Sequence, residues 1–434
     1  MYISRIALDL FRSWKHIIFD CKPGINVIYG NNGLGKTNIV ESLEVVGTGI
    51  SHRTSLTLPL INRGNKTATI RLNVYNNQKN QNNQNKNNNE QSTDEQIAEN
   101  QTTYEVTLNL KGTNRARIND GKSLYMRDII GSLPVVSFTP RDQSLIIGDP
   151  TIRRTFIDQA GALLLPNYVQ TLQEFKHIAK QRAALLKNIR ESTFNNQSNS
   201  LSGLEIWTGK FIEIGINLTK LRQQTISILN KYFIQIFNSL TENKDCAELK
   251  YLPSFEEVFI NKNAENSSEI LALLSEHFQR IYLGELSRGC NLIGPHRDDI
   301  IFMLNNMPAK DFASNGESWT LAVAAKMALC KALEEKNNSK PIIILDDVFA
   351  QLDENRRKQI LNFSKDQGQV FITTSSLNDI PEDDEIKENN LINIEKIAEN
   401  QNTINNIYTD HDELLRAVIE QRNYESNYEQ ESAL

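Results

Sequence analysis

Gly30-Asn31-Asn32-Gly33-Leu34-Gly35-Lys36-Thr37 is the stretch on which the reading of this chain turns. It follows a short apolar run, Ile25–Tyr29, that reads as a buried strand. After it, Ile39, Leu43 and Val46 fall on one helical face, with Gly47 and Gly49 as the expected stop. A G-x-x-x-x-G-K-[ST] string between a strand and a helix is a phosphate-binding loop. Its glycines let backbone N–H groups close on phosphate oxygens, and the start of the helix adds a positive field. Lys36 then reaches the β- and γ-phosphates, and Thr37 offers its hydroxyl to Mg2+. The expected nucleotide-binding set is Gly30, Asn31, Asn32, Gly33, Leu34, Gly35, Lys36 and Thr37, with Lys36 also acting in catalysis.

The partner elements lie far downstream. Pro341–Asp347 is an apolar strand ending in two acids, the first of them 310 residues beyond the loop lysine. A buried strand that delivers an acid at its C-terminal end holds the Mg2+ shell of P-loop proteins, which assigns Asp346 to the metal. Asp347 is then placed to polarise an attacking water as general base. It is one methylene shorter than a glutamate, so slow hydrolysis is expected. The next strand, Val370–Thr374, brings Thr373 and Thr374 to the γ-phosphate position where a histidine could stand, and this also argues for modest turnover. Between loop and acids, Ala313-Ser314-Asn315-Gly316-Glu317 opens a helix over Ser318–Leu333. A Ser-x-Gly at a helix start is a second anion site. In a head-to-tail ATPase dimer, Ser314 and Gly316 cap the γ-phosphate held by the other subunit, and Gln351-Leu352-Asp353 has the spacing of a dimer-facing loop.

A chain of 434 residues carries a soft prior of two to three domains. Strands are expected at Ile3–Leu10, Thr67–Tyr75, Tyr104–Lys111 and Arg115–Ile118, with Asn119-Asp120-Gly121 as a hairpin turn. Residues 76–103 contain 16 Asn or Gln in 28 positions, too little apolar material to offset ordering, and read as a disordered insertion. In the middle, Leu172, Phe175, Ala179, Leu186 and Ile189 keep a 3-4 spacing with Arg182 in the slot between. Trp207, Phe211, Ile214, Leu218, Leu221, Thr225, Ile228 and Tyr232 form a second seam, which implies an antiparallel helical pair roughly 40–50 Å long. Arg153 and Arg154 are expected at the start of the first arm helix, capped by Asp149 or Thr151. The expected organisation is an α/β P-loop ATPase lobe built from residues 1–149 and 291–380, an inserted, mostly helical arm over 150–290, and an acidic, partly disordered tail over 381–434.

Composition sets the outer limits. The chain is 39 % hydrophobic and 23 % charged, an ordinary globular balance. No run approaches the ~18 apolar residues of a membrane span, and Met1–Leu10 alternates as a strand, unlike a secretory leader. The net charge is −6, but residues 381–434 carry 14 acidic and 4 basic side chains, so the body is mildly basic. That balance fits a nucleic-acid partner without requiring one. Cys21, Cys246, Cys290 and Cys330 lie far apart and read as four buried, reduced thiols.

Taken together these residues resemble the ABC-type ATPases of chromosome maintenance, and most closely the RecF family of bacterial recombination mediators. The likeness runs through Gly30-x-Asn32-Gly33-x-Gly35-Lys36-Thr37-Asn38 with Glu41, Ser51-His52-Arg53, and Phe138-x-Pro140-x-Asp142. It continues in Arg153-Arg154-x-Phe156-x-Asp158, Gly294-Pro295-His296-Arg297-Asp298-Asp299 and Leu345-Asp346-Asp347-Val348-Phe349-Ala350-x-Leu352-Asp353. Glu317 stands where the signature commonly has Gln, Trp319 follows it, and 76–103 has no expected counterpart. The resemblance implies an ABC-type fold and a cytoplasmic, weak ATPase using ATP and Mg2+, which forms an ATP-dependent homodimer. It further implies binding to gapped duplex and single-strand/double-strand junctions in DNA repair, replication and the SOS response. RecR and RecO are implied partners, acting with it to promote RecA loading on gapped DNA.

Two other classes share the nucleotide motifs. A soluble ATPase subunit of a transporter fits all three, but not the ~150-residue arm or the wide separation of loop and acids. A phosphotransferase would leave the Ser-x-Gly segment without a role. A long-rod chromosome ATPase is excluded, since some 130 residues of arm cannot supply hundreds of residues of paired helix. Several residues keep two readings: His296 and Arg297 contact phosphate or brace the return from the arm, and Asp142 and Gln143 reach Mg2+ or its water or stay at the lobe boundary. Arg153 and Arg154, the basic hairpin (Lys111, Arg115, Arg117, Lys122, Arg127), and Arg53, Arg63, Lys66 and Arg71 contact DNA or are structural and solvated.

Overall fold

The computed structural model describes residues 1–54, 56–76, 101–194, 203–260, 267–352, 354–380 and 390–399. The chain opens with a hairpin, β1 (Tyr2–Phe11) and β2 (Trp14–Asp20), and then β3 (Gly24–Tyr29), whose central residues are all buried. After the phosphate loop comes α1 (Lys36–Thr48). Gly47 lies inside this helix, while Gly49 caps its end with φ 78° and donates its N–H to the Val45 carbonyl. Strands β4 (Thr67–Tyr75), β5 (Gln101–Asn109), β6 (Arg115–Ile118) and β7 (Leu124–Tyr125) join β1 and β2 in an antiparallel sheet of order β2-β1-β4-β5-β6-β7. Strand β5 begins at Gln101, inside the segment read as an insertion; residues 77–100 lie outside the described residues.

A second, parallel sheet forms the centre. Its order is β14-β3-β13-β12-β8, with β8 (Val135–Phe138), β12 (Ile342–Asp346), β13 (Gln369–Thr374) and β14 (Asn390–Asn393). Strands β8, β12 and β13 are buried at every position, which is why they read as unbroken apolar runs. The register places Asp346 opposite Thr373 and Thr374 opposite Tyr29. The C-terminal ends of β3, β12 and β13 therefore meet at one crevice, where ligands bind in open α/β sheets. Edge strand β14 comes from the segment read as an acidic tail; Ile392 and Ile394 bury against the sheet, and residues 394–399 continue as a helical turn.

The middle of the chain supplies α2 (Pro150–Leu164), α3 (Tyr168–Phe194), α4 (Leu204–Leu240) and α5 (Ser267–Arg288). Asp149 occupies the cap position of α2 but its side chain makes no capping bond. At 1.5 Å per residue α3 spans about 40 Å and α4 about 55 Å. Their seam holds Phe175 against Phe211, with ring centroids 5.2 Å apart, and buries Leu186 and Leu218. Arg182 in the apolar slot is 1 % exposed yet fully partnered. It makes a paired contact with Glu285 (2.9 and 2.5 Å), bonds Asn291 and Thr208, and lies over the Phe211 and Phe278 rings.

This helical unit does not stand apart from the ATPase lobe. One continuous core includes Val27, Ile343 and Ile372 of the parallel sheet together with Phe211, Leu218 and Phe233 of α4. Nor does the unit end at residue 290. Its strand β9 (Ala247–Leu252) pairs with β10 (Asp299–Leu304), which turns back on β11 (Met307–Pro308). From there α6 (Asn315–Asn337) packs between α4 and β8, and α7 (Glu354–Lys365) follows the two acids.

A buried ionic cluster ties these parts together. Arg222 of α4 bonds Asp158 (3.0 Å), Asp298 (2.8 Å) and the Pro295 carbonyl (2.5 Å). Asp298 also accepts from the Tyr251 hydroxyl and the Ser254 N–H. Breaking a buried pair by deleting one partner leaves an uncompensated charge and costs about 3–5 kcal/mol. Arg222→Ala is therefore expected to lower the unfolding midpoint markedly in calorimetry, and Arg222→Lys to recover little, since one ammonium cannot span two carboxylates and a carbonyl. An unchanged midpoint in both would show that the cluster does not hold the lobes.

Two of the four cysteines are buried, Cys21 and Cys330, with burial pushing both thiols up. Cys290 is half-buried and Cys246 exposed, so the expectation of four buried thiols holds for two. The Cys246 exposure follows from its place in the loop before β9, where apolar burial begins only at Ala247.

Candidate functional site

The phosphate loop bridges β3 and α1. Gly35, the residue before α1, has φ 91°, and a Cβ there would lie 2.7 Å from both Ser13 Oγ and Trp14 Nε1. Only glycine fits a loop held this closely. The Trp14 indole donates to the Gly35 carbonyl (3.1 Å), and Asn38 donates to Ser13 Oγ (2.8 Å), so the β1–β2 turn braces the loop from outside. Lys36 Nζ folds back over the loop and donates to the carbonyls of Gly30 (2.6 Å) and Asn31 (2.9 Å). Asn31, Asn32 and Gly33 stay exposed, while Leu34 packs on the apolar core beneath. Burial lowers the Lys36 pKa, against the opposing pull of Asp347, Asp346 and Glu395.

Across the crevice, Thr37 Oγ1 donates to Asp346 Oδ1 (2.9 Å), and Thr373 Oγ1 donates to the same oxygen (2.7 Å). A hydroxyl and a carboxylate this close are hard oxygen donors of the kind that hold Mg2+ together with a nucleotide's phosphates. Among the described residues no cluster of three or more His, Cys, Asp or Glu forms an all-protein metal cage. Asp347 follows in a left-handed conformation, φ 54°, its N–H directed at Thr373 Oγ1 (3.0 Å). Burial and the charge of Asp346 raise its pKa, with Lys36 opposing. Thr374, the other expected γ-phosphate neighbour, instead donates to the Ser376 carbonyl.

Arg12, Glu44 and Glu395 escaped the sequence reading, whereas Glu41 and Ser51-His52-Arg53 were singled out there without these contacts. Arg12, at the β1–β2 turn, forms a two-pronged pair with Glu41 of α1 (2.9 and 2.5 Å). Ser51 donates to Glu41, and Arg53 reaches it at 3.3 Å. His52 Nδ1 lies 2.7 Å from Glu44, and its Nε2 faces Asp346 Oδ2 at 3.7 Å. Burial disfavours the imidazolium, but Glu44, Asp346 and Glu41 together raise the His52 pKa. Glu395, after β14, accepts the Asn31 N–H at 3.1 Å. The signal for this segment was the short alternation of Ile392 and Ile394, submerged in an acidic stretch.

The Ser-x-Gly segment sits at the start of α6. Ser314 is the N-cap; its Oγ accepts from the Glu317 N–H (3.3 Å), and Glu317 Oε2 accepts from the Ser314 N–H (2.7 Å). This reciprocal capping box starts the helix at Asn315, three residues before the expected Ser318. Arg356 of α7 lies against Gly316, its guanidinium 5.6 Å from the Trp319 ring centroid. Gln143 Nε2 donates to the Asn315 carbonyl (3.0 Å), tying this helix start to the end of β8. Among the described residues no hydrogen bond joins Ser314 or Gly316 to the loop Gly30–Thr37 of the same chain. Asp353 lies outside the described residues.

The remaining candidates divide. Asp142 is held by Lys326 of α6 (3.0 Å). Arg153 is buried on Asp299 (2.7 Å) and Arg154 donates to the Asp298 carbonyl (2.7 Å), which makes both structural. His296 is enclosed by the Phe175 and Phe211 rings, and burial holds its pKa low. Arg297 is exposed. Arg71 is paired with Asp9 and Glu105, whereas Lys66, Lys111, Arg117, Lys122 and Arg127 are exposed. Arg115 and Arg127 both lie on the Tyr125 ring, at 4.3 and 4.8 Å.

Comparison with known proteins gives consistent matches. Residues 2–389 match the family model of the RecF/RecN/SMC N terminal domain. The chain is 51 % identical over 387 residues to the DNA replication and repair protein RecF of Bifidobacterium adolescentis, covering 88 % of this chain and 89 % of that protein. It is 33 % identical over 396 residues to the protein of the same name from Rhodococcus erythropolis, covering 88 % and 91 %. Among solved structures it is similar to the recombination mediator protein RecF with ATPrS in the RecFOR pathway. That match has TM-score 0.74 and 26 % identity and covers 88 % of this chain and 94 % of the other. The ATP form of that protein gives TM-score 0.73 over 87 % and 93 %, also at 26 % identity.

Proposed function

The chain belongs to the RecF family, within the RecF/RecN/SMC N-terminal group, and from that premise we propose an ATP-hydrolysing switch that binds DNA in recombinational repair and replication. One observation carries the mechanistic reading. Lys36, Thr37, Asp346 and Thr373 converge at the ends of parallel strands, while the Ser314–Gly316 helix start makes no bond to that loop. One half of a nucleotide site is thus assembled, and a second helix start suited to an anion is not hydrogen-bonded to it. ATP bound by one subunit would be completed by Ser314 and Gly316 of a second copy.

The donor set described above fits Mg2+, which Thr37 and Asp346 would hold; it supplies charge neutralisation of the phosphates when bound. Lys36 and the loop N–H groups position the β- and γ-phosphates. Asp347 takes a proton from the attacking water as its oxygen bonds the γ-phosphorus; the bond to the β-phosphate oxygen breaks, giving ADP and inorganic phosphate. The short Asp347 side chain, beside a Thr373 already engaged on Asp346, supports a slow reaction, suited to resetting a clamp.

The transporter alternative is set aside, because the matched relatives are replication and repair proteins and the arm shares the core of the ATPase lobe. No helix among the described residues is long and apolar enough to cross a membrane. The finer assignments are gapped or junction DNA as substrate, RecR and RecO as partners, and a cytoplasmic location, each supported by kinship with proteins of the RecFOR pathway. Light scattering with ATP, ADP and a gapped duplex tests the core of this reading, with dimers expected only with ATP. Equal mass with and without ATP would refute it. DNA affinity is expected to fall steeply between 50 and 200 mM salt, by about 10³-fold or more if six or more phosphates are contacted. A flat salt response would remove phosphate contact from the account.

A further inference from the structure

The Ser51-His52-Arg53 turn lies outside the phosphate loop, yet all three side chains are committed to the helix that follows that loop. Ser51 and Arg53 hold Glu41, and His52 holds Glu44. Both carboxylates are buried, with side-chain exposures of 0 % and 4 %, and a buried carboxylate is costly unless fully paired. Glu44 accepts from Ser137 Oγ of β8 (2.7 Å), from the His52 N–H (2.9 Å) and from the ring at Nδ1 (2.7 Å).

These bonds fix the imidazole and leave its second nitrogen with one direction to face. Nε2 lies 3.7 Å from Asp346 Oδ2, while the other oxygen of Asp346 accepts from Thr37 and Thr373. A polar chain therefore runs from β8 through α1 and the turn to the end of β12. We infer that His52 is a positioning residue for the Mg2+-holding carboxylate, linking Asp346 to the buried Glu44 and Ser137. It does for Asp346 what outer-sphere partners do at metal sites generally, where their loss costs about 10–100-fold in metal affinity. The inference rests on the Mg2+-nucleotide reading above.

The test is calorimetric titration of the full chain with ATP, in EDTA and at graded Mg2+. Two variants are used, His52→Ala and His52→Gln; the glutamine retains a donor for Glu44 and so keeps the turn folded. Both are expected to bind ATP in EDTA within about twofold of the parent, and to need roughly 10–100-fold more Mg2+ for the Mg2+-dependent gain in affinity. If His52→Gln needs no more Mg2+ than the parent, or if both variants lose ATP binding equally in EDTA, the positioning role is overturned. A parent chain that shows no ATP binding at all would instead sink the nucleotide reading itself.

Discussion

Lys36→Met leaves a folded chain that no longer dimerises on ATP and binds the nucleotide about 10–100-fold more weakly. Its two bonds, to the Gly30 and Asn31 carbonyls, are local to the loop and partly solvated, so their loss changes stability little. The phosphate contact is different. Bonds to charged groups contribute about 1.5–3 kcal/mol each, and the methionine offers similar length without any donor. Burial already lowers the Lys36 pKa, and the charge of Asp346 and Asp347 draws it back. A triphosphate bound in the crevice adds further anionic charge, which favours the ammonium form. Titration calorimetry and light scattering on the same preparation check both parts. Parent-like ATP affinity in the variant would mean that Lys36 does not reach the phosphates.

Ser314→Arg separates binding from assembly. Among the described residues Ser314 hydrogen-bonds within its own helix start, to Glu317 and Ser318. Loss of an N-cap costs about 0.5–2 kcal/mol, a tolerable penalty for a 23-residue helix packed along α4 and β8. Nucleotide affinity should therefore stay within about twofold of the parent. If Ser314 meets the partner's γ-phosphate as proposed, the bulk of an arginine there should abolish the ATP-dependent dimer entirely. Ser314→Ala, which removes the cap without adding bulk, should weaken the dimer and leave some of it. Should Ser314→Arg dimerise normally with ATP, the shared-nucleotide account fails even though the P-loop assignment survives.

The legible parts of this molecule were those where chemistry and periodicity coincide over a few residues. Strands β3, β12 and β13 announced themselves as short apolar runs, and β12 ends in the acid that Thr37 and Thr373 meet. The Lys36, Thr37 and Asp346 grouping was readable because a strand end and a loop can be matched without knowing their distance in sequence. What escaped reading is long-range. Arg12 meets Glu41, and Glu395 meets Asn31, across 29 and 364 residues, and nothing local marks either pair. Strand β14 was hidden because only four residues of an otherwise acidic segment enter the sheet. The arm looked separable because one apolar seam on α4 was enough to explain a helical pair. A second stripe, including Leu229, Phe233 and Phe237, buries against the rest of the molecule and fuses the lobes.

The motif Gly294–Asp299 shows a different limit. Its composition suits phosphate contact, but Asp298 and Asp299 are consumed by Arg222, Tyr251 and Arg153 inside the junction between the helical unit and the ATPase lobe. Residue types alone could not decide this, because an arginine–carboxylate lattice and an anion site draw on the same side chains.

The most direct measurement is a structure of the ATP-loaded protein trapped before hydrolysis, read at one place. The account predicts two nucleotides buried between two chains, each γ-phosphate touched by the loop of one subunit and by the partner's Ser314 hydroxyl. A loaded structure in which Ser314 faces solvent, or stays folded against its own helix while Lys36 grips the phosphates, would contradict it.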